Sequence, residues 1–145
     1  MKKLGSAGVL AALVALVVVA FASAAASKGT VRATLSAKQE VPAQAVANAA
    51  GRGLFTGTLV GRTLTWKLTF SHLTGPAAAA HIHLAPVGKP GNVVVPLCGP
   101  CRSGAHGTAK LTAADVKALG SHRLYVNVHT AKNPAGEIRG QLARG

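Results

Sequence analysis

The stretch from Gly53 to Phe70, GLFTGTLVGRTLTWKLTF, decides the fold. Its second half sets Leu64, Trp66, Leu68 and Phe70 on one side and Thr63, Thr65, Lys67 and Thr69 on the other. A period of two is what a half-buried strand needs and what a helix cannot bury on one stripe. Phe55 and Leu59 continue the apolar face in the first half. Between the halves, Gly61-Arg62 puts glycine at the first central position, where a type II′ turn requires positive φ. A β-hairpin over Gly53–Phe70 follows.

The same period recurs on both sides of this hairpin. Thr30 to Ser36 alternates Val31, Ala33 and Leu35 against Arg32, Thr34 and Ser36, and Ala79 to Leu84 sets His81 and His83 opposite Ile82. Val93 to Leu97 and Thr108 to Leu111 are short strands, and Arg123 to Thr130 and Gly136 to Leu142 close the chain around Asn133-Pro134-Ala135. In the last of these, Ile138 and Leu142 are expected to face inward and Glu137, Arg139 and Gln141 outward. Lys38 to Gly51 is a long irregular connection, and the prolines and glycines of Pro86 to Gly91 exclude regular structure. One short helix runs from Thr112 to Gly120, with Thr112 as its cap, Asp115 in its first turn and Gly120 at its end. About eight short strands with tight turns and one short helix imply an all-β fold, an antiparallel Greek-key β-sandwich or flattened barrel.

Residues 1–26 stand apart from this domain. Lys2 and Lys3 make a basic start, Val9 to Phe21 an uncharged apolar run, and Ala22-Ser23-Ala24 and Ala24-Ala25-Ala26 two small-x-small cleavage sites, so the segment reads as a secretory signal peptide. An uncleaved anchor is the alternative, since about 20 apolar residues cross a bilayer. Residues 27–145 then form one domain, secreted or held in the cell envelope. The net charge of +13 falls to +11 without Lys2 and Lys3, because Glu40, Asp115 and Glu137 are the only acidic residues. Specific nucleic-acid binding is not expected, since the basic residues are scattered singly and only Phe55, Trp66, Phe70 and Tyr125 follow the leader as aromatic platforms. Anionic cell-envelope polymers or a membrane surface suit such a charge better.

Chemistry centres on histidine. Tyr125, Asn127 and His129 share the face of their strand opposite Leu124, Val126 and Val128, so His81, His83 and His129 meet if the two strands are neighbours. Imidazole clusters suit copper or zinc, whereas three carboxylates are too few for a calcium site. The competing reading leaves the same histidines metal-free and hydrogen-bonded to neighbours such as Thr130 or Glu137. His72, His106 and His122 read as loop histidines, with His72 or His106 available as a fourth ligand. Cys98-Gly99-Pro100-Cys101 is the thioredoxin tetrapeptide, but activation of its thiol needs a helix N-terminus, and the glycines of Arg102 to Gly107 do not build one. A structural disulfide between Cys98 and Cys101 is expected. No catalytic residue is singled out: Glu40 and Asp115 sit in an ordinary loop and helix, and there is no nucleophile elbow.

Gln39-Glu40-Val41-Pro42, the Leu64–Leu73 strand and turn, Ala80-His81-Ile82-His83, Leu111-Thr112-Ala113-Ala114, Leu124 to Thr130 and Gly136 to Leu142 together resemble the CHRD domain, a module named from chordin. The resemblance runs from about Thr30 to Leu142 and implies an all-β extracytoplasmic module, in bacteria often the only domain; it speaks to fold and compartment more than to function, and the residues as a whole read as a non-catalytic binding or structural module of the cell envelope. His83 is followed here by Leu84-Ala85-Pro86 where the family more often has Gly-Pro-Ala. A fainter likeness is to the copper/zinc superoxide dismutase sandwich, which is similar in the order of a His-x-His strand, a Val-His strand and a late arginine. That likeness implies a copper-only dismutase-like oxidoreductase, with His81, His83 and His129 on the metal and Arg139 guiding an anion. The zinc-binding loop of those enzymes has no counterpart here.

Overall fold

A computed structural model describes residues 27–44 and 47–145; the signal peptide expected at residues 1–26 lies outside the described residues. The strands are β1 (Lys28–Ser36), β2 (Arg52–Val60), β3 (Thr63–Ser71), β4 (Ala77–Leu84), β5 (Asn92–Cys98), β6 (Ala105–Lys110), β7 (Leu124–Thr130), β8 (Ile138–Gln141) and β9 (Ala143–Arg144), with one helix, α1 (Ala113–Gly120). They form a single antiparallel sheet in the order β5-β4-β7-β8-β1-β2-β3-β6, with β9 added beside β1. Because the sheet is continuous and curls on itself, the architecture is the flattened barrel rather than the two-sheet sandwich. No helix among the described residues is long and apolar enough to cross a membrane.

The hairpin forms as the sequence dictates. Val60 pairs with Thr63, Gly61 takes φ 58°, and Arg62 stays out of the positive-φ region, the signature of a glycine-first turn. Leu64, Trp66 and Leu68 are buried with Phe55 and Leu59, and Phe55 stacks on Trp66 at 6.2 Å between ring centres. Leu35, Ile82, Val126, Val128 and Ile138 fill the same core from the other strands. Each such side chain stabilises the fold by about 1.5–3 kcal/mol through the apolar area it removes from water.

β5 and β6 are the two ends of the sheet yet follow one another in the chain, so the loop 99–104 carries the chain across the seam of the barrel. Cys101 donates its N–H to the Ala77 carbonyl at 3.0 Å, Gly104 donates to the Leu68 carbonyl at 2.9 Å, and Ser103 Oγ accepts from the Phe70 N–H at 2.8 Å. The disulfide Cys98–Cys101 closes this loop. Backbone hydrogen bonds into β3 and β4 thus occupy groups that open sheet edges would leave bare.

α1 begins as expected, in a capping box: Thr112 Oγ1 accepts from the Asp115 N–H at 3.1 Å, and Asp115 Oδ2 accepts from the Thr112 N–H at 2.9 Å. It ends at Gly120, also as expected, and two residues on His122 takes the left-handed conformation with φ 53°.

The larger correction concerns the face of β4, β7 and β8 turned away from the core. Alternation puts Glu137, Arg139 and Gln141 on that face, but Glu137 and Arg139 are 0% and 3% exposed, and every residue of β7 is buried. Segments 85–91 and 133–137 and the Glu40 loop roof it, held by Ala85, Pro86, Pro134 and Glu40 contacts to side chains standing on the strands.

Candidate metal centre

Under this roof the side chains stand in ranks set by the strand register. His81 is paired across with Asn127 and Asn127 with Arg139; His83 is paired with Tyr125 and Tyr125 with Gln141; Ala79 is opposite His129. Register irregularities fall between Ala77 and Ala79 in the β4–β7 pairing, and between Ala80 and His81 and between Ile82 and His83 in the β4–β5 pairing, the kind of feature that re-aims a strand's side chains. His81 Nδ1 lies 3.2 Å from His129 Nε2, and one nitrogen from each of His81, His83 and His129 falls within 4.8 Å of the others. His72 and His106 take no part: both are exposed, bonded to Ser71 Oγ and the Gly104 carbonyl respectively.

Two backbone carbonyls fix the tautomers. His83 donates Nδ1–H to Gly91 O at 2.9 Å, and His129 donates Nδ1–H to Pro134 O at 3.0 Å, which leaves a lone pair on Nε2 of each ring. The His129 lone pair accepts from His81 Nδ1. The His83 lone pair is buried and has no partner. These carbonyls, not the Thr130 or Glu137 side chains expected from sequence, orient the rings. Thr130 instead donates its hydroxyl to Glu137 Oε2 at 2.6 Å. Gly91 must approach β4 so closely that a Cβ there would run into the Leu84 carbonyl oxygen, and Gly136, at φ 135°, would drive a Cβ into the Asn127 amide. Both roof segments therefore turn at glycine.

Burial holds all three rings below the usual imidazole range, His129 at about 4. They are neutral at pH 7 and can offer lone pairs with no net loss of protons, His81 by carrying its proton on Nε2 in place of Nδ1. The geometry fits an ion: two nitrogens held about 2.0–2.1 Å from one tetrahedral ion stand about 3.3 Å apart, close to the His81–His129 separation. The surrounding carbonyls match the outer partners that metal-bound imidazoles use.

Next to the histidines, the Tyr125 ring stacks on His83 at 4.9 Å between centres, and the Arg139 guanidinium lies 3.5 Å from the Tyr125 ring centre. These two partners come from the strands on either side of β7. Arg139 also donates to the Pro86 carbonyl at 3.4 Å. Tyr125 and Asn127 carried no chemical role in the sequence reading, although their alternation with His129 placed them on the right face. Glu40 is not the ordinary loop residue its sequence context suggests. It is 5% exposed, accepts from Asn127 Nδ2 at 3.4 Å through Oε2, and leaves Oε1 without a partner.

Burial pushes the Glu40 carboxyl up to about 7, against the opposing pull of Asn127 and Arg139. A raised carboxyl pKa stabilises the fold fully below the unfolded value near 4.5 and loses that contribution as pH rises through 7. His129 works in the opposite direction: its depressed pKa contributes stability above the unfolded value of 6.5 that disappears as pH falls toward 4. The two slopes oppose one another between these limits. Glu40→Gln, which keeps an amide donor in place of the protonated carboxyl, is expected to stabilise the protein by about 3 kcal/mol at pH 8 and by almost nothing at pH 4. Urea melts at the two pH values check this; equal effects at both would show that folding leaves the Glu40 pKa unshifted.

The CHRD domain family model matches residues 31–142, and the chain belongs to that family. No curated protein and no solved structure matches it.

Proposed function

We propose that this protein is an exported, non-catalytic module of the cell envelope whose CHRD domain holds one copper or zinc ion on His81, His83 and His129. The buried, unpartnered Nε2 of His83 carries the reading. A buried imidazole nitrogen without a partner costs about 1–3 kcal/mol, and an ion shared with His81 and His129 removes that cost. Copper is favoured over zinc, because a nitrogen site of given geometry binds divalent copper more tightly. The small ring closed by Cys98 and Cys101 and the apolar leader of residues 1–26 support export. Anionic envelope polymers are the partners that the surface charge fits.

Calorimetric titration of the purified, metal-stripped protein with copper and with zinc tests the site. One equivalent of copper, bound more tightly than micromolar and more tightly than zinc, is expected. Failure to bind either metal at micromolar affinity would return the histidines to a structural role. The dismutase reading rests on the order of His81, His83, His129 and Arg139 along the chain. The stacking of Arg139 on Tyr125 favours the binding module over it, since that cation is engaged beneath the roof. Rapid consumption of superoxide by the copper-loaded protein would reverse this preference.

A further inference from the structure

All three acidic side chains are buried: Glu40 at 5%, Asp115 at 8% and Glu137 at 0% exposure. The surface of the described residues therefore presents lysine and arginine with no carboxylate side chain among them. On the far side of the barrel from the histidines, these cations fall into a regular array. The outer face of β1, β2, β3 and β6 carries a rank of four threonines, Thr30, Thr58, Thr65 and Thr108, aligned across the strands by their register. Lys28 and Lys110 stand at the two ends of the rank on one side of it, while Arg32 and Lys67 share the rank on the other. Neighbouring strands lie about 4.8 Å apart, so Arg32 and Lys67 are about 10 Å apart and Lys28 and Lys110 about 14 Å. Toward the Arg52 end the face sinks into a cavity of about 390 Å³ lined by Thr34, Arg52, Leu54, Thr69, Ser71 and the half-buried Phe70 ring.

We infer that this face docks a linear anionic polysaccharide. Its acidic groups would pair with Arg32, Arg52, Lys67 and Lys110, and its hydroxyls would bond the threonines between them. The cavity gives one sugar unit hydroxyl partners from Thr34, Thr69 and Ser71 against the apolar side of Leu54. A membrane is a poorer fit, because Val60 is the face's only large apolar side chain exposed to solvent, too little to insert among lipids. Nucleic acid is also a poorer fit, because Phe55 and Trp66 are buried and the half-buried Phe70 in the cavity is the one phenyl or indole ring the face offers, too few for successive bases to stack on. The inference deepens the envelope reading by naming the surface and the partner's chemistry. It does not depend on the metal, so its failure and the metal's are separable.

The test is binding of the purified protein to polygalacturonate by calorimetry, beside neutral dextran, duplex DNA and anionic phospholipid vesicles. Two variants that each remove three exposed cations are compared: R32S/R52S/K67S on this face, and K117S/R123S/K132S elsewhere. Circular dichroism melts confirm that both are folded. The expected result is binding of polygalacturonate and not dextran, weakened at least about tenfold in the face variant and less than about threefold in the control, with the difference shrinking as salt screens it. Equal losses in the two variants would overturn the inference by leaving net charge as the whole cause. Tighter binding of DNA or vesicles than of the polysaccharide would overturn it as well.

Discussion

Replacing His83 with alanine is expected to leave a folded protein that has lost copper affinity by more than the roughly 10–100-fold that outer partners of a metal site are worth. His83 Nε2 faces the cluster unpartnered, while its Nδ1–H is already committed to the Gly91 carbonyl. No other imidazole among the described residues joins the cluster, since His72, His106 and His122 are all exposed outside it. His129→Ala should act alike. The affinity should also depend on pH in a particular way. Each ligand must be neutral to bind, so protons compete below its pKa. With burial lowering all three rings, and His129 to about 4, affinity should hold from pH 8 down through the usual imidazole midpoint and fall only below it. A titration series across that range checks it. Loss of half the affinity already at pH 6.5 would mean that the rings are hydrated and exposed.

The second large effect is on stability. Glu137, 0% exposed, accepts hydrogen bonds from the Thr74 N–H and hydroxyl, the Thr130 hydroxyl and the Asn133 amide. Its carboxylate thereby ties the turn after β3 to the end of β7 and to the roof segment that carries Pro134. Burial alone would raise its pKa, but the hydrogen bonds from Thr130, Thr74 and Asn133 outweigh burial and hold it below the usual carboxylate value. Glu137→Ala leaves those buried donors unpaired at about 1–3 kcal/mol each, with some relief as water enters, so a loss of about 3–5 kcal/mol is expected. Denaturant unfolding at pH 7 measures it. The sign with pH follows from the depressed pKa: the contribution is present above the unfolded value near 4.5 and is lost as pH falls through the lower folded value. The gap between wild type and variant should accordingly narrow in acid. A gap below about 1 kcal/mol at pH 7 would show that solvent already satisfies the donors.

Much of this fold was legible because its signals are local. Alternation located all the long strands to within a few residues, Gly61 specified its turn, and Thr112 with Asp115 built the helix start on the spot. The position of His81, His83 and His129 on one face followed from the same period of two. Misreadings arose where the outcome depends on distant residues. Alternation places Glu137 and Arg139 on the correct side of β8, but that side faces the roof and not solvent. Polarity marks a side chain's need for partners, and a roof loop can supply them as well as water can. The ring orientations escaped notice for a similar reason, since the partners of His83 and His129 are the backbone carbonyls of Gly91 and Pro134, which no side-chain pattern announces.

By itself the sequence determined which segments are strands, which side chains share a face, and that carboxylates are too scarce to dominate any site. Those are consequences of backbone geometry and composition, both fixed residue by residue. Only the tertiary structure decided that β4 and β7 are neighbours, that Pro86 to Gly91 and Asn133 to Glu137 close over them, and that the enclosed imidazoles stay neutral. Neighbourhood in a sheet is settled by how the whole barrel closes, and desolvation depends on every atom that excludes water, so neither can be read from one strand alone.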